Sequence, residues 1–330
     1  MSVTPTSPPA GPPDEAPLAA LLAAEAQRLG LPPGAARALG PLPPWRSRRQ
    51  LRWGRHTVEL GGRTLVLGVV NVTDTSLSGP GHGDDVAAAV AHAEALLAAG
   101  ADLLDIGGES TRPGAPPVPE AQERARVEAA VGAIAARWPA VPVSVDTRRA
   151  SVAEAALHAG AGAINDVSGL RHDPALAALA ARTGAALILG HWEARASAIA
   201  TARDDATVVI AAVLAGLRWS VEQALAAGCT SEQLAIDPGL GFGKPPAVSL
   251  ALLRELAQLR ALGLPLVVGP SRKGFIGHVL GPDAQLDWEG TAAAVALAVA
   301  AGADIVRVHD VARLVRVVRM SDAIAAATDA

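Results

Sequence analysis

Residues 142–167 read PVSVDTRRASVAEAALHAGAGAINDV. The stretch holds a short apolar run that ends at Asp146, an alanine-rich segment of helical length, a break that contains glycine, and a second apolar run. Apolar strands separated by a helix are typical of parallel strands that are buried on both faces. The stretch therefore predicts one β/α unit of a parallel sheet.

The same pattern repeats along most of the chain. Ala/Leu-rich stretches of helical period, such as 84–100 and 119–138, alternate with apolar runs, and several of them end in Ala-Gly, a helix stop. Eight such units over about 260 residues fit a closed (β/α)₈ TIM barrel of the α/β class better than an open doubly wound sheet. The predicted strands are 65–71, 102–107, 142–146, 163–167, 186–191, 233–237, 265–269 and 304–309.

The amino-terminal part differs in composition from the rest. Eleven of the 25 prolines fall in the first 50 residues, which predicts a Pro/Ala-rich extension over 1–50 that is partly disordered, with one short helix at 18–30. The barrel domain is predicted to occupy 51–330. Its first two strands, within 51–60 and 63–71, are expected to form a β-hairpin around Gly61-Gly62.

Composition excludes several classes of protein. Half of the residues are hydrophobic and 18% are charged, which suits a large buried core, and the net charge of −4 gives no basic surface for nucleic acid. The single cysteine, Cys229, excludes a disulfide framework and a cysteine-ligated metal cluster. Because we find neither a secretory signal nor an apolar run of membrane-spanning length, we expect a cytoplasmic protein without a membrane partner.

Polar side chains follow the predicted strands, at or just past their carboxyl ends. In a (β/α)₈ barrel those ends meet at one mouth, where active sites are found. Single Asp, Asn and Ser residues could instead be helix N-caps, but Lys273, Arg307 and His309 could not. The mouth then carries acceptors in its middle strands and cations in strands seven and eight, which suits a polar heterocycle joined to an anionic group. The set is Asn71, Asp105, Asp146, Asn165, His191, Asp237, Ser271, Lys273, Arg307 and His309.

Several segments at these strand ends carry a resemblance to a known family. Over roughly residues 50–325 the chain resembles the bacterial dihydropteroate synthases, and STRPG, SRK and RVHDV in this order make the resemblance specific. The matching segments are GVVNVT (68–73), DIGGESTRPGA (105–115), VSVDT (143–147), INDVSG (164–169), DPGLGF (237–242), GPSRKGFIG (269–277) and RVHDV (307–311).

The resemblance implies a transferase that joins 4-aminobenzoate to 6-hydroxymethyl-7,8-dihydropterin diphosphate and releases diphosphate in folate biosynthesis. It also implies a homodimer formed through the late helices. A pterin-binding paralogue with little catalysis is the alternative, and a pterin-dependent methyltransferase on the same barrel is a third possibility, which would leave the SRK and RVHD segments unexplained.

The resemblance also implies roles for individual residues. Asp146, Asn165 and Asp237 would accept hydrogen bonds from the pterin. Lys273 would reach the pterin carbonyl, and Arg307 would stack on the pterin face. Lys273, Arg307 and His309 form the implied catalytic set. The other implied contacts are Asn71 with Mg²⁺ and the diphosphate, Ser271 with the benzoate carboxylate, Phe242 beside the aminobenzoate, and Thr111, Arg112 and Pro113 on a second loop that closes over the site.

Two segments depart from the family pattern. The first loop reads NVTDTSLSGPG at 71–81 where the family usually has NVTPDSFSDGG, and this change predicts weakened aminobenzoate use with little change in pterin affinity. The residue before His191 is Gly190, where the family usually has an apolar side chain. Trp192 either fills that space or packs on the barrel rim.

Overall fold

The chain folds as the predicted barrel. The structure is a computed structural model that describes residues 48–73, 75–76, 79–80, 85–110, 115–192, 206–286 and 288–327. The predicted extension over 1–50, apart from its last three residues, and the predicted helix at 18–30 lie outside these residues. The boundary between extension and barrel domain therefore stays a prediction.

Two antiparallel strands come first, followed by the first strand of the barrel. Strand β1 (Arg49–Trp53) pairs with β2 (His56–Leu60), and β3 (Leu65–Asn71) begins the barrel. A short antiparallel pair, β4 (Thr75–Ser76) and β5 (Gly79–Pro80), follows β3. The other barrel strands are β6 (Leu103–Gly107), β7 (Val143–Asp146), β8 (Ala163–Asp166), β9 (Ala186–Leu189), β10 (Leu234–Ile236), β11 (Val267–Val268) and β12 (Ile305–Val308).

Eight parallel strands make the barrel, in the order β10-β9-β8-β7-β6-β3-β12-β11. The circle is completed by a parallel bridge between Ile236 and Leu266, where the Ile236 N–H donates to the carbonyl of Pro265 at 2.9 Å. The predicted (β/α)₈ fold is confirmed, and each predicted strand contains an observed one.

Helices alternate with the barrel strands. Gly100, Gly160 and Gly302 each follow a helix with φ of +103°, +119° and +92°, which confirms the predicted Ala-Gly helix stops. The helices are α1 (Val86–Ala98), α2 (Glu120–Arg137), α3 (Ala150–Ala159), α4 (Ala175–Thr183), α5 (Ala206–Ala226), α6 (Pro246–Arg254), α7 (Gly274–Leu280), α8 (Trp288–Ala300) and α9 (Val311–Ala326). Three 3₁₀ segments are Ser231–Gln233, Leu256–Leu262 and Pro282–Gln285.

One stretch of α5, Val209–Ala226, is long and apolar enough to cross a membrane by length and composition alone. Just over half of it, 56%, is buried inside the protein, as in the core helix of a barrel.

The predicted hairpin is present, but the predicted turn is wrong. The chain reverses at Gly54-Arg55, between the paired residues Trp53 and His56, and not at Gly61-Gly62. Gly54 has a φ of +60°, a conformation that glycine adopts without strain. Leu65–Asn71, predicted as the second hairpin strand, pairs instead with β6 and β12 inside the barrel.

The hairpin closes the amino end of the barrel. Leu51 and Trp53 are fully buried and belong to the same apolar cluster as Leu65, Leu67 and other side chains from barrel strands. The indole N–H of Trp53 donates to the carbonyl of Val143 at 3.0 Å. A larger cluster lies between the strands and the helices. Because the amino end is plugged, a ligand of the barrel is expected at the carboxyl ends of the strands.

Candidate active site

Most of the polar side chains predicted at the mouth are found at the carboxyl ends of the strands. Asn71 and Asp146 are the last residues of their strands, and Asp237 and His309 directly follow theirs. The alternative that these residues are helix N-caps is wrong for the described helices, since the side chains that cap α1 and α9 belong to Asp85 and Asp310.

Arg307 lies between two carboxylates at the centre of the mouth. Its Nε is 2.6 Å from Asp105 Oδ2, and its Nη2 is 2.7 Å from Asp146 Oδ2. Asp105 is fully buried and also accepts from Ser144 Oγ at 2.6 Å and from Asn165 Nδ2 at 3.0 Å. Two charged hydrogen bonds fix the guanidinium plane, so Arg307 can present a flat face to a ligand ring.

The hydrogen bonds within the mouth leave three acceptors unused by the described residues. Arg307 donates to Asp146 Oδ2, which leaves Asp146 Oδ1 without a donor among the described residues. Asn165 bonds to Asp105 through its amide nitrogen, which leaves Asn165 Oδ1 without a donor in the same way. Asp237 Oδ1 accepts from the Gly239 N–H at 2.7 Å, which leaves Oδ2. Asn165 Nδ2 uses one of its two N–H groups on Asp105, so Asn165 offers a ligand the acceptor Oδ1 and one further N–H.

Burial shifts the acid–base behaviour of these groups. Burial raises the pKa of Asp146 to about 7, and the positive charge of Arg307 opposes this shift. The pKa of Asp237 is also raised by burial, against its hydrogen bond from Gly239. For Arg307, burial alone would lower the pKa, but the charges of Asp105 and Asp146 raise it above its ordinary value. Arg307 therefore stays charged, while Asp146 titrates near neutrality.

Lys273 lies in the mouth against the aromatic ring of Phe242. Its Nζ is 3.7 Å from the centroid of Phe242, a cation–π contact. Burial and the charge of Arg307 lower the pKa of Lys273 to about 8, although Asp237 and Asp146 act in the opposite direction. The mouth thus brings Lys273, Phe242, Asp237, Asp146 and Arg307 together.

Ser271 and His309 form a pair beside this group. Ser271 Oγ is 3.0 Å from His309 Nδ1 and accepts from the His309 N–H at 3.3 Å. Burial, followed by the positive charges of Arg307, Arg272 and Lys273, lowers the pKa of His309 well below its ordinary value. The imidazole is therefore neutral near pH 7, and Arg307 and Lys273 carry the positive charge at this end of the mouth.

One predicted member of the mouth faces elsewhere. The ring of His191 packs under α5, so close that a Cβ on Gly216 would lie 2.5 Å from its Cδ2. Burial, followed by the charges of Lys244 and Arg171, lowers the His191 pKa well below its ordinary value. His191 is thus a neutral packed side chain, and its prediction as a mouth residue is wrong.

The space beside His191 explains Gly190. A Cβ at Gly190 would lie 2.6 Å from the backbone of Val167, so the missing side chain leaves no gap for Trp192 to fill. Trp192 instead lies at the rim and contacts Phe242, with ring centroids 5.7 Å apart.

Two carboxylates near the mouth make contacts that the sequence did not predict. Asp105 was predicted only as a polar strand end, although its DIGG context already marked it as one of the family segments. Glu109 was not predicted at all, yet it pairs with Arg148 at 2.7 Å and Arg149 at 3.2 Å. Thr111, Arg112 and Pro113, and the side chains of the altered first loop over 74–81, lie outside the described residues.

Comparison with known proteins agrees with this geometry. Residues 67–309 match the family model described as pterin binding enzyme. The dihydropteroate synthase of Mycobacterium leprae is 46% identical over 74% of this chain and 88% of its own length, and that of Bacillus subtilis is 41% identical over 79% and 88%.

Solved structures are similar over a comparable length. The dihydropteroate synthase of Xanthomonas albilineans with 4-aminobenzoic acid has a TM-score of 0.76 and 39% identity, covering 86% of this chain and all of that one. The dihydropteroate synthase of Burkholderia cenocepacia complexed with 7,8-dihydropteroate has a TM-score of 0.72 and 36% identity, covering 83% of this chain and 96% of that one. From the barrel, its polar mouth and these matches, we conclude that the chain belongs to the pterin binding enzyme family.

Proposed function

We propose that this protein is a dihydropteroate synthase, which condenses 6-hydroxymethyl-7,8-dihydropterin diphosphate with 4-aminobenzoate to give 7,8-dihydropteroate and diphosphate. The observation that carries the proposal is the convergence of Asp146, Asn165, Asp237, Lys273 and Arg307 on one mouth. The names of the similar proteins support the same reaction.

The free acceptors suit the hydrogen-bond pattern of a dihydropterin. Its amino group and ring N–H groups are donors, and the oxygens left unused on Asp146, Asn165 and Asp237 are acceptors. The Lys273 ammonium supplies a donor for the pterin carbonyl and ring nitrogen. The Arg307 guanidinium, held flat by Asp105 and Asp146, stacks on the ring.

The reaction breaks the bond between the pterin methylene carbon and the diphosphate oxygen and forms a carbon–nitrogen bond. The bonding electrons leave with diphosphate, and the resulting pterin cation is attacked by the amine of 4-aminobenzoate, which then loses a proton. Such a step depends on charge complementarity more than on a general base. Arg307 serves the diphosphate as well as the pterin, and His309 donates a hydrogen bond in the same anion pocket.

The residues present fit Mg²⁺ held mainly by substrate oxygens. No cluster of three His, Cys, Asp or Glu side chains that could hold a metal occurs among the described residues. Magnesium is often bound through one or two protein oxygens together with phosphate oxygens and water, and the amide oxygen of Asn71 at the end of β3 suits that mode. When bound, Mg²⁺ would neutralise negative charge on the departing diphosphate.

The remaining contacts are part of the same proposal. Ser271 binds the benzoate carboxylate, Phe242 flanks the aminobenzoate ring, and Thr111, Arg112 and Pro113 contact the substrates from the second loop. A pterin-binding paralogue without catalysis would have the same acceptors for the pterin as the enzyme. Only an assay with both substrates therefore separates the two candidate functions.

We further propose a cytoplasmic homodimer. Large apolar side chains are exposed on α7, α8 and α9, including Leu297 at 60%, Met320 at 62% and Ile324 at 64%. Helices α8 and α9 pack side by side, so these side chains can form one face for a second copy. Light scattering of the wild type and of Leu297→Glu tests this: a dimer that becomes a monomer is expected, and a monomeric wild type would contradict it.

Diphosphate release tests the proposed activity. We expect release only when pterin diphosphate, 4-aminobenzoate and Mg²⁺ are all present. If the purified protein with all three releases none above background, the synthase proposal fails. Pterin binding without release would favour the binding paralogue.

A further inference from the structure

Two aromatic rings stand side by side at the rim of the mouth, between two cations. Trp192 follows β9 and Phe242 follows β10, and their rings are tilted by 42° with centroids 5.7 Å apart. The Arg148 guanidinium carbon lies 5.0 Å from the Trp192 centroid, and Lys273 Nζ lies 3.7 Å from the Phe242 centroid. We call these four side chains the rim stack.

The outer end of the rim stack is anchored by a carboxylate. Arg148 Nη2 donates to Glu109 Oε2 at 2.7 Å. Glu109 is itself held by Arg149 Nη2 at 3.2 Å and by the Val118 N–H at 3.3 Å. Burial alone would raise the pKa of Glu109, but the hydrogen bond and charge of Arg148 and the charge of Arg149 lower it, so it stays ionised. Arg148 therefore has a fixed position over Trp192.

The inner ring of the stack needs support from side chains. Phe242 lies between Gly241 and Gly243, which have φ of +76° and +64°. The Phe242 N–H donates to the carbonyl of Gly239 at 3.1 Å, and Lys244 Nζ donates to the Phe242 carbonyl at 3.3 Å. These bonds hold the backbone in place but do not fix the rotation of the ring about its side-chain torsions. Trp192 and Lys273 are the ring and the cation that contact Phe242. Removing Trp192 would leave the Phe242 ring free to turn away from Lys273.

We propose that Arg148 and Trp192 are positioning residues for the aromatic amine substrate, because they hold the Phe242 ring in the orientation that receives a flat benzoate ring. The inference rests on the proposed function, in which Phe242 flanks 4-aminobenzoate. Arg148 and Trp192 act through Phe242: among the described residues, the hydrogen bonds, ion pairs and ring contacts of their side chains go to Glu109, to Phe242 and to each other. Lys273, the pterin-binding member of the rim stack, contacts Phe242 rather than Trp192.

The test compares variants of Trp192 by their KM for each substrate. Trp192→Leu is expected to raise the KM for 4-aminobenzoate about tenfold, with the KM for pterin diphosphate within about twofold of wild type. A tenfold change corresponds to about 1.4 kcal/mol, a size expected when an aromatic pair and a cation–π contact are lost together. Trp192→Phe keeps an aromatic ring and should restore most of the affinity.

The chain offers a matched control. Trp138 lies at the end of α2 with the Arg137 guanidinium carbon at the same 5.0 Å from its ring centroid, far from the strand ends that form the mouth. Trp138→Leu removes the same kind of contact and should change neither KM. Thermal unfolding of all variants separates lost stability from lost positioning.

Three results would overturn the inference: equal changes in both KM values, an unchanged KM for 4-aminobenzoate in Trp192→Leu, or no restoration by Trp192→Phe. If Trp192→Leu does not fold, the test uses Arg148→Met, which should likewise raise the KM for 4-aminobenzoate and leave the KM for pterin diphosphate unchanged. The Kd for 4-aminobenzoate, measured by calorimetry with pterin and diphosphate bound, gives the same comparison without turnover. A wild type that binds 4-aminobenzoate but makes no product would thus overturn the proposed function and leave the positioning comparison intact.

Discussion

The affinity for pterin is expected to pass through a maximum near pH 7.5. Pterin binding in the proposed site needs Asp146 as a carboxylate and Lys273 as an ammonium. Burial raises the pKa of Asp146 to about 7 and lowers that of Lys273 to about 8. As pH falls below 7, Asp146 takes up a proton and loses an acceptor. As pH rises above 8, Lys273 loses a proton and its charge.

The size of the effect follows from these two pKa values. At pH 7.5 about three-quarters of the molecules have Asp146 as a carboxylate, and about three-quarters have Lys273 as an ammonium. About 0.6 of the molecules therefore have both groups in the form that binds pterin. At pH 6 or pH 9 that fraction falls to about 0.1. The association constant for pterin should therefore fall about sixfold on either side, which corresponds to about 1 kcal/mol.

Calorimetry with 6-hydroxymethyl-7,8-dihydropterin measures this dependence, because this ligand carries no phosphate that titrates in the same range. Asp146→Asn should weaken binding and shift the acid limb to lower pH, where the raised pKa of Asp237 still contributes. Lys273→Arg should remove the alkaline limb, since a guanidinium stays charged. An affinity that rises as pH falls from 7 to 6, or limbs that persist unchanged in both variants, would refute the reasoning.

Three further predictions concern the supports of the site. Asp105→Ala leaves the buried Arg307 with one partner fewer and should lower the free energy of unfolding by about 3–5 kcal/mol in urea titrations; a loss under 1 kcal/mol would contradict the role of this pair. Gly162→Ala places a Cβ about 2.5 Å from the carbonyl oxygen of Trp53 and should lower the melting temperature, whereas Gly62→Ala meets nothing within 4 Å and should not; equal melting temperatures would refute this. Restoring the family residues in the first loop should raise kcat/KM for 4-aminobenzoate in steady-state assays, and an unchanged or lower ratio would show that the loop of this chain is adapted as it stands. The five substitutions are Asp74→Pro, Thr75→Asp, Leu77→Phe, Gly79→Asp and Pro80→Gly.

The barrel could be predicted from the sequence because its strands are short, apolar and evenly spaced. The hairpin turn could not be placed correctly, since Gly61-Gly62 has the composition of a two-residue turn and Gly54 is a single glycine. What decides the turn is tertiary: Leu51 and Trp53 are buried in the barrel end only when the chain reverses at Gly54. Local turn composition is overridden by burial of large apolar side chains.

The residues of the site could be predicted from the sequence, but the hydrogen bonds and ion pairs between them could not. A polar residue at a strand end identifies the mouth, yet the pairing of Arg307 with Asp105 joins residues 202 positions apart and leaves no local signal. His191 shows the limit of the same rule, because strand position alone does not say whether a ring faces the mouth or the helix behind it. The neutral state of His309 likewise follows from burial among cations, which only the fold reveals.

Identifying the product tests the proposed reaction most directly. Wild-type protein is incubated with Mg²⁺, 6-hydroxymethyl-7,8-dihydropterin diphosphate and 4-aminobenzoate labelled with ¹⁵N in its amine, and the mixture is analysed by mass spectrometry. If the protein is a synthase, 7,8-dihydropteroate that carries the label forms in equal amount with diphosphate, and a variant that combines Asp146→Ala with Asp237→Ala forms none. Diphosphate released without labelled dihydropteroate, or labelled product that the double variant forms at the wild-type rate, would contradict the proposed reaction.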